Sequence, residues 1–195
     1  MIPVFYDLID KKIQDDEIKC FVKEALNHAP KEFWTAPSSG TGKYHPPENQ
    51  GKGGLIRHLC KTIIITEGLC IFFNMPRYDT DIILAGVSLH DIVKNGDPWG
   101  PSSHKEHGLV GARFLCQFEL REPAKSEIID CVRYHMSQYT GTKADVKRAC
   151  NPTKKELIVQ LADFYCSRQY ASWLPGLKVR EEDINNFFKN FNINS

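Results

Sequence analysis

The positions of the prolines limit what this chain can fold into more than any other feature of its sequence. Eleven prolines leave six stretches that are each longer than twenty residues and contain no proline. Because proline lacks a backbone N–H and breaks helix interiors, helices are expected within these stretches and not across their borders. Most of the stretches carry apolar residues at helical spacing, so the chain is predicted to consist mainly of helices joined by turns.

Three proline-free segments carry an unbroken helical face, with residues at positions i, i+3, i+4 and i+7. The sets are Ile18, Phe21, Val22 and Ala25; Ile128, Cys131, Val132 and His135; and Ile184, Phe187, Phe188 and Phe191. The first and third sets predict an N-terminal helix over residues 13–29 and a C-terminal helix over residues 181–192. Residues 62–73 are rich in β-branched and aromatic residues, yet a buried helix fits the helical context better.

Local signals predict where several helices begin and end. Two capping boxes indicate helix N-termini, because a hydroxyl and a carboxylate satisfy free N–H groups reciprocally. The pairs are Ser103 with Glu106 and Thr153 with Glu156. The first box predicts that His104 and His107 lie in the first turn of a helix. Asn95-Gly96 predicts the end of a helix that begins near Thr80, which puts a His-Asp pair at positions 90 and 91 in its last turns.

Composition and charge narrow the class of protein. Hydrophobic residues make up 42% and charged residues 25% of the chain, which is typical of one soluble globular domain. A net charge of +1, without blocks of like charge, argues against a protein that coats DNA or binds a membrane surface. With no leader pattern and no apolar segment near about 18 residues, a cytoplasmic location is expected. Seven cysteines, never closer than ten residues, match neither a zinc pair nor a disulfide framework.

Six histidines and aspartates lie on or beside apolar helix faces, where exposed polar residues are not expected. They are His58, His90, Asp91, His107, His135 and Asp163. A single buried histidine is ordinarily a hydrogen-bonded core residue. Buried aspartates are rarer, because an unpaired carboxylate in a core is strongly destabilising. Six such residues on five predicted helices favour a shared metal site, since imidazole and carboxylate are ligands of divalent first-row metals.

At His90-Asp91-Ile92-Val93-Lys94 the chain resembles the HD-domain superfamily of metal-dependent phosphohydrolases. The family pattern is a histidine, a His-Asp pair followed three residues on by Lys, two further histidines and a late aspartate. These positions are matched, in order, by His58, His90, Asp91, Lys94, His107, His135 and Asp163. The resemblance spans residues 44 to about 170, including the approach to the first histidine and the closing Ala162-Asp163. It departs at Val93, where many members have Gly.

The resemblance implies an all-α helical bundle with a metal site at its centre. It implies a single HD domain over residues 1–195, with a core over residues 44–170. The N-terminal helix at 13–29 and the C-terminal helix at 181–192 would pack on that core. Tyr44, His45 and the loop to Gly54, with residues 97–103, would shape the substrate mouth.

The resemblance also implies a site with one or two divalent metals per chain, either Mn, Mg, Fe, Co or Ni. The first metal would be held by His58, His90, Asp91 and Asp163, and the second by His107 and His135, with Asp91 bridging. Asp91, Lys94 and His104 are the expected catalytic residues, with His104 as a proton donor or phosphate contact. Lys94, Arg57 and Arg168 would bind substrate phosphate. The alternatives are a solvated helix-end lysine, an idle exposed histidine and arginines in ordinary surface salt bridges.

The function that this implies is hydrolysis of a phosphoester or phosphoanhydride by a metal-activated water. The expected substrate is a small-molecule phosphate ester, a nucleotide or a short single-stranded nucleic-acid end. A protein of near-neutral net charge is not expected to bind a long nucleic acid, because each phosphate contact requires a Lys or Arg. Two alternatives stay open: an HD-fold di-iron oxygenase, which uses the same ligand pattern, and a non-catalytic ligand-binding HD module. The sequence does not indicate the oligomeric state.

Overall fold

The structure, a computed structural model, describes residues 2–39, 45–136 and 142–168, and it is all-helical over those residues, without a strand. The eight helices of these ranges are α1 (Ile2–Lys12), α2 (Asp16–Asn27), α3 (Gly54–Phe72), α4 (Arg77–Leu89), α5 (His107–Leu115), α6 (Ala124–Tyr134), α7 (Lys143–Ala149) and α8 (Lys154–Cys166). Two 3₁₀ turns, Lys31–Trp34 and Pro47–Asn49, precede α3. The all-α prediction is therefore confirmed. Tyr44 and the predicted helix at 181–192 lie outside the described residues.

Helix α4 is the centre of the bundle. It packs against α2, α3, α6 and α8, and every residue from position 80 to position 89 is buried. Helix α2 turns its predicted apolar face inward, and the carboxylate of Asp15 caps its N-terminus. Residues 62–73 fall almost entirely within α3, as predicted. No helix of the described ranges is long and apolar enough to cross a membrane.

The predicted end of α4 and start of α5 are wrong, and this changes where the site residues lie. Helix α4 ends at Leu89, so His90 is its C-terminal cap and Asp91 lies in the turn that follows. Helix α5 begins at His107 and has no side-chain cap. The Ser103 capping box is therefore not formed, whereas the Thr153–Glu156 box is confirmed.

The segment between α4 and α5 folds back on itself instead of continuing either helix. The backbone N–H of His104 donates to the carbonyl of Lys94 at 2.8 Å, so His104 stands three residues before α5 and not in its first turn. Gly96 adopts a left-handed φ of 97° within a series of tight turns that runs from His90 to Trp99. The Asn95-Gly96 pair therefore lies inside these turns and not at the end of a helix.

Two glycines allow α6 to approach its neighbours closely. A Cβ on Gly86 of α4 would lie 2.6 Å from the Cβ of Cys131, and one on Gly108 of α5 would lie 2.6 Å from the carbonyl oxygen of Arg133. Both contacts are too close for any larger residue. The packing therefore brings the end of α4, the start of α5 and the end of α6 to one place in the bundle.

Candidate metal centre

The structure brings all six predicted ligands together from five helices. His58 lies in α3, His90 and Asp91 at and just after the end of α4, His107 at the start of α5, His135 at the end of α6 and Asp163 in α8. Five of the six residues are buried, and the side chain of Asp163 is 22% exposed. Their donor atoms form three overlapping groups of three, each within 4.8 Å, that could hold a metal ion.

One half of the cluster surrounds the carboxylate of Asp163. The Nε2 atom of His58 lies 3.1 Å from Asp163 Oδ1 and 3.4 Å from the Nε2 atom of His90. The Nε2 atom of His90 lies 3.5 Å from Asp163 Oδ1 and 3.5 Å from Asp91 Oδ2. Two imidazoles and two carboxylates therefore face one small space.

The other half surrounds the second oxygen of Asp91. Asp91 Oδ1 lies 3.0 Å from the Nε2 atom of His107 and 3.9 Å from that of His135. The two Nε2 atoms are 3.1 Å apart. Asp91 thus turns one oxygen towards each half of the cluster, which is the arrangement that a carboxylate shared by two metals needs. His135 also groups with His90 and Asp163, so it borders both halves.

Backbone carbonyls orient three of the four histidines, His90, His107 and His135. Each donates its Nδ1–H to a carbonyl oxygen three residues earlier. The acceptors are Val87, His104 and Val132, at 2.7, 2.8 and 2.7 Å. In the neutral ring this leaves a lone pair on Nε2, which is the form that binds metals.

These orientations fit a metal site. In their neutral forms, His107 and His135 point two lone pairs at each other across 3.1 Å, which requires a cation between them, either a proton or a metal. Two nitrogens bound to one metal at 2.0–2.1 Å lie roughly 2.9–3.4 Å apart. The donor set and its spacing therefore suit a divalent first-row metal.

The charges in the cluster also favour a cation. Burial alone would raise the pKa of Asp91, but Lys94, His90 and His107 hold it well below its ordinary value. Burial would likewise raise the pKa of Asp163, but hydrogen bonds with His58 and His90 keep that pKa well below its ordinary value. Both carboxylates are therefore ionised.

The histidine pKa values differ with their neighbours. Burial lowers the pKa of His58, and it lowers that of His135 to about 3. Burial also acts against the charged form of His90, but Asp91 and Asp163 outweigh it and raise that pKa. Neutral rings at His58 and His135 are ready to donate lone pairs.

Lys94 reaches the centre of the cluster. Its Nζ atom lies 2.5 Å from Asp91 Oδ2, and its side chain is 12% exposed. The alternative of a solvated lysine is therefore wrong. Lys94 instead pairs with the carboxylate that is expected to bridge, and its predicted contact with phosphate stays a prediction.

His104 is exposed and lines an open groove of about 660 Å³ in the loop between α4 and α5. Its Nδ1 atom accepts the backbone N–H of Glu106 at 3.2 Å, which puts the proton of the neutral ring on Nε2. Its carbonyl oxygen accepts the Nδ1–H of His107, so the groove wall is bonded to a proposed ligand.

The two predicted arginines have contacts of their own. The guanidinium of Arg57 donates to the carbonyls of Lys52 at 3.1 Å and Gln50 at 2.9 Å, which holds the loop before α3. The guanidinium of Arg168 lies 4.6 Å from the centre of the Phe164 ring. Binding of phosphate by either residue stays a prediction.

His45, which is expected from the sequence at the substrate mouth, lies against His58 of the metal site. The structure buries it, with its ring centre 5.3 Å from that of His58 at 74°. Burial, with further contributions from His58 and Lys94, lowers its pKa to about 4. Helical periodicity cannot identify His45, because it lies in a loop rich in Pro and Gly.

Comparison with known families gives a match to a helical domain family. The model of the family described as HD domain matches residues 55–167, more than half of the chain, and this stretch contains all six proposed ligands. Comparisons with curated proteins and with solved structures gave no match.

Proposed function

Since the chain belongs to the HD domain family, we propose that it is a metal-dependent phosphohydrolase. It cleaves a phosphoester or phosphoanhydride of a nucleotide or of a short single-stranded nucleic-acid end. The observation that carries this proposal is the position of Asp91, whose two oxygens face two sets of imidazole Nε2 atoms. That arrangement supports a pair of metals acting on one phosphate.

The chain's own residues would hold two metals side by side. His58, His90, Asp91 and Asp163 would hold the first, and His107 and His135 the second, with Asp91 shared. When bound, divalent metals supply an activated water as nucleophile and Lewis acidity towards phosphoryl oxygens. Imidazole ligands suit iron and nickel and carboxylate ligands suit manganese and magnesium, so these metals and cobalt are the candidates.

Lys94 supplies a fixed positive charge at the centre. Cleavage of a phosphoester builds negative charge on the non-bridging oxygens, so a cation held beside them stabilises the transition state more than the ground state. The burial of Lys94 strengthens this effect, because water screens the charge less. A bound metal would neutralise Asp91 and leave the ammonium group available to the substrate.

His104 and its groove bind the remainder of the substrate. The Nε2–H of His104 can donate to a phosphate oxygen or to the leaving group. The groove volume of about 660 Å³ lies in the usual range for small-molecule sites. Ser102, Ser103 and Lys105 add polar groups to its wall, which suits a sugar phosphate. Arg57 and Arg168 would contact outer phosphate oxygens.

The test combines metal analysis with substitution of Lys94. Protein purified without chelator is analysed for metals and then assayed on phosphate monoesters, diesters and nucleotides with each candidate metal. Lys94→Ala should keep its metals and lose turnover by about 10²–10³, or roughly 2.7–4 kcal/mol. Lys94→Arg should recover only part of this, because a planar fork does not reproduce a point charge.

Lys12→Ala is the matched control, since Lys12 also pairs with an acid, Glu67 at 2.7 Å, away from the cluster. It should keep full turnover. Equal turnover in Lys94→Ala and the parent would refute the role of Lys94. Oxygen consumption by the iron-loaded protein without hydrolysis would favour the di-iron oxygenase. Nucleotide binding without turnover under any metal would favour the non-catalytic module.

A further inference from the structure

His58 differs from the other three histidines of the cluster in the environment of its Nδ1 atom. His90, His107 and His135 each donate Nδ1–H to a backbone carbonyl. The carbonyl of His58 accepts the Thr62 hydroxyl, but its Nδ1 atom is buried and has no hydrogen-bond partner in the described ranges. A ligating histidine nearly always gives its second N–H to an acceptor, which fixes the ring and its tautomer.

The side chain that packs on His58 has the same deficiency. His45 is 8% exposed, and its Nδ1 atom is also buried without a partner in the part of the chain that the structure describes. The two rings meet edge to face, with centres 5.3 Å apart. Gln50 holds the His45 backbone by donating to its carbonyl at 3.2 Å.

Most of the unpartnered buried atoms belong to His58 and to the loop before α3. Five buried side-chain atoms of the described residues lack a partner, and four of them belong to His45, Asn49 and His58. Asn49 lies in the 3₁₀ turn that packs on α3. Buried polar groups without protein partners are ordinarily satisfied by an ordered water, which takes two to four hydrogen bonds.

We propose that His45 is the positioning residue of His58. An unprotonated nitrogen of His45 accepts the Nδ1–H of His58 through one bridging water. This hydrogen bond holds His58 in the tautomer whose Nε2 lone pair faces Asp163 and His90. His45 thereby does for His58 what backbone carbonyls do for the other three histidines. The inference rests on the proposed metal site, because without a metal the Asp163 carboxylate, 3.1 Å from the Nε2 atom of His58, competes for the ring proton.

The first test follows the Nδ1–H of His58 by ¹⁵N NMR of the histidine rings in the full chain loaded with Zn²⁺, a diamagnetic metal that binds histidine. The parent should show a His58 Nδ1–H that exchanges slowly with water. His45→Phe keeps a ring against His58 but removes the acceptor, so this proton should exchange faster. His45→Asn places an oxygen near the position of Nδ1 and should restore the slow exchange. Equal exchange in the parent and His45→Phe would overturn the proposal.

The second test measures affinity for Co²⁺ alone by absorption titration. His45→Phe should bind the tighter Co²⁺ about 10- to 100-fold more weakly than the parent, which is the usual effect of losing such a hydrogen bond, and His45→Asn should recover most of that loss. Equal affinity in the parent and His45→Phe, with an unchanged His58 signal, would overturn the proposal. If the parent binds no Co²⁺, the proposed metal site fails and the role of His45 fails with it, an outcome distinct from equal binding by the parent and His45→Phe.

Discussion

Asp81 and Asp91 are buried to the same degree, at 2% exposure, but they meet opposite kinds of partner. Asp81, in α4, accepts the backbone N–H groups of Gln14 at 3.1 Å and Asp15 at 2.9 Å and pairs with Arg77. All of these partners are groups that can only donate hydrogen bonds. Asp81 therefore satisfies its charge within the protein and ties the turn between α1 and α2 to α4.

Asp91, just beyond the other end of α4, faces imidazole nitrogens instead. His107 and His90 turn Nε2 atoms towards it, and their Nδ1 protons are given to backbone carbonyls. Among the side chains that the structure describes around the cluster, Lys94 is the one partner of Asp91 that can only donate hydrogen bonds. Burial of a carboxylate thus does not indicate a metal site. A metal site is indicated where imidazole lone pairs converge on the carboxylate, because only a cation can bind the nitrogens and the carboxylate oxygens together.

The largest expected effect is that of replacing Asp91. Asp91→Ala should lose most of both metals, since each half of the cluster loses a carboxylate oxygen. Metal at about 1,000 times its Kd stabilises a folded protein by about 4 kcal/mol, and the variant should lose that gain. Metal content and thermal unfolding with and without chelator measure both effects. A variant that keeps two metals would remove the distinction between Asp91 and Asp81.

The second prediction divides the partners of Asp91. His135→Ala should leave about one metal per chain, because the half around Asp163 keeps His58, His90 and both carboxylates. Metal analysis of the purified variant, with a circular dichroism check of folding, measures this. Since His135 also borders the first half, loss of both metals would mean that one centre depends on the other. Unchanged metal content would make His135 a core histidine.

The candidate residues of the site can be predicted from the sequence, because the residue type determines which side chains can bind a metal. The order of histidines and aspartates, with Lys94 three residues after Asp91, is sufficient to identify them. Helix faces such as that of α2 follow from spacing in the same way. Chemical identity and period are local properties, so they can be read from one sequence.

The remainder depends on contacts between distant residues. The Asn95-Gly96 and Ser103 signals predict helix ends, but the loop between α4 and α5 closes through the bond from His104 to the Lys94 carbonyl. The position of Lys94 on Asp91 and that of His45 on His58 depend on side-chain directions. No local pattern identifies Asp81, because its backbone partners lie more than sixty residues earlier in the chain.

The third prediction concerns Asp81 itself. Asp81→Ala leaves two partly buried backbone N–H groups without an acceptor, so the free energy of unfolding should fall by about 2–4 kcal/mol. Metal content per folded chain should not change, because the residue lies outside the cluster. Urea unfolding of the chelated protein, together with metal analysis, checks both parts. Loss of metal at full stability would contradict the division between the two aspartates.

The smallest effect separates the geometry of the site from the identity of its ligands. Gly108 follows His107 and lies against the Arg133 carbonyl, where an added Cβ would be 2.6 Å away. Gly108→Ala must move α5 away from α6, so it should destabilise the chain by about 1–3 kcal/mol and weaken the second metal without removing a ligand. Gly68→Ala is the matched control, because nothing lies within 4 Å of an added Cβ in that helix. The control should stabilise the chain by about 0.5–1 kcal/mol and keep both metals. Should Gly108→Ala behave like the control in urea unfolding and metal content, the close approach of α5 and α6 would not be what sets the cluster.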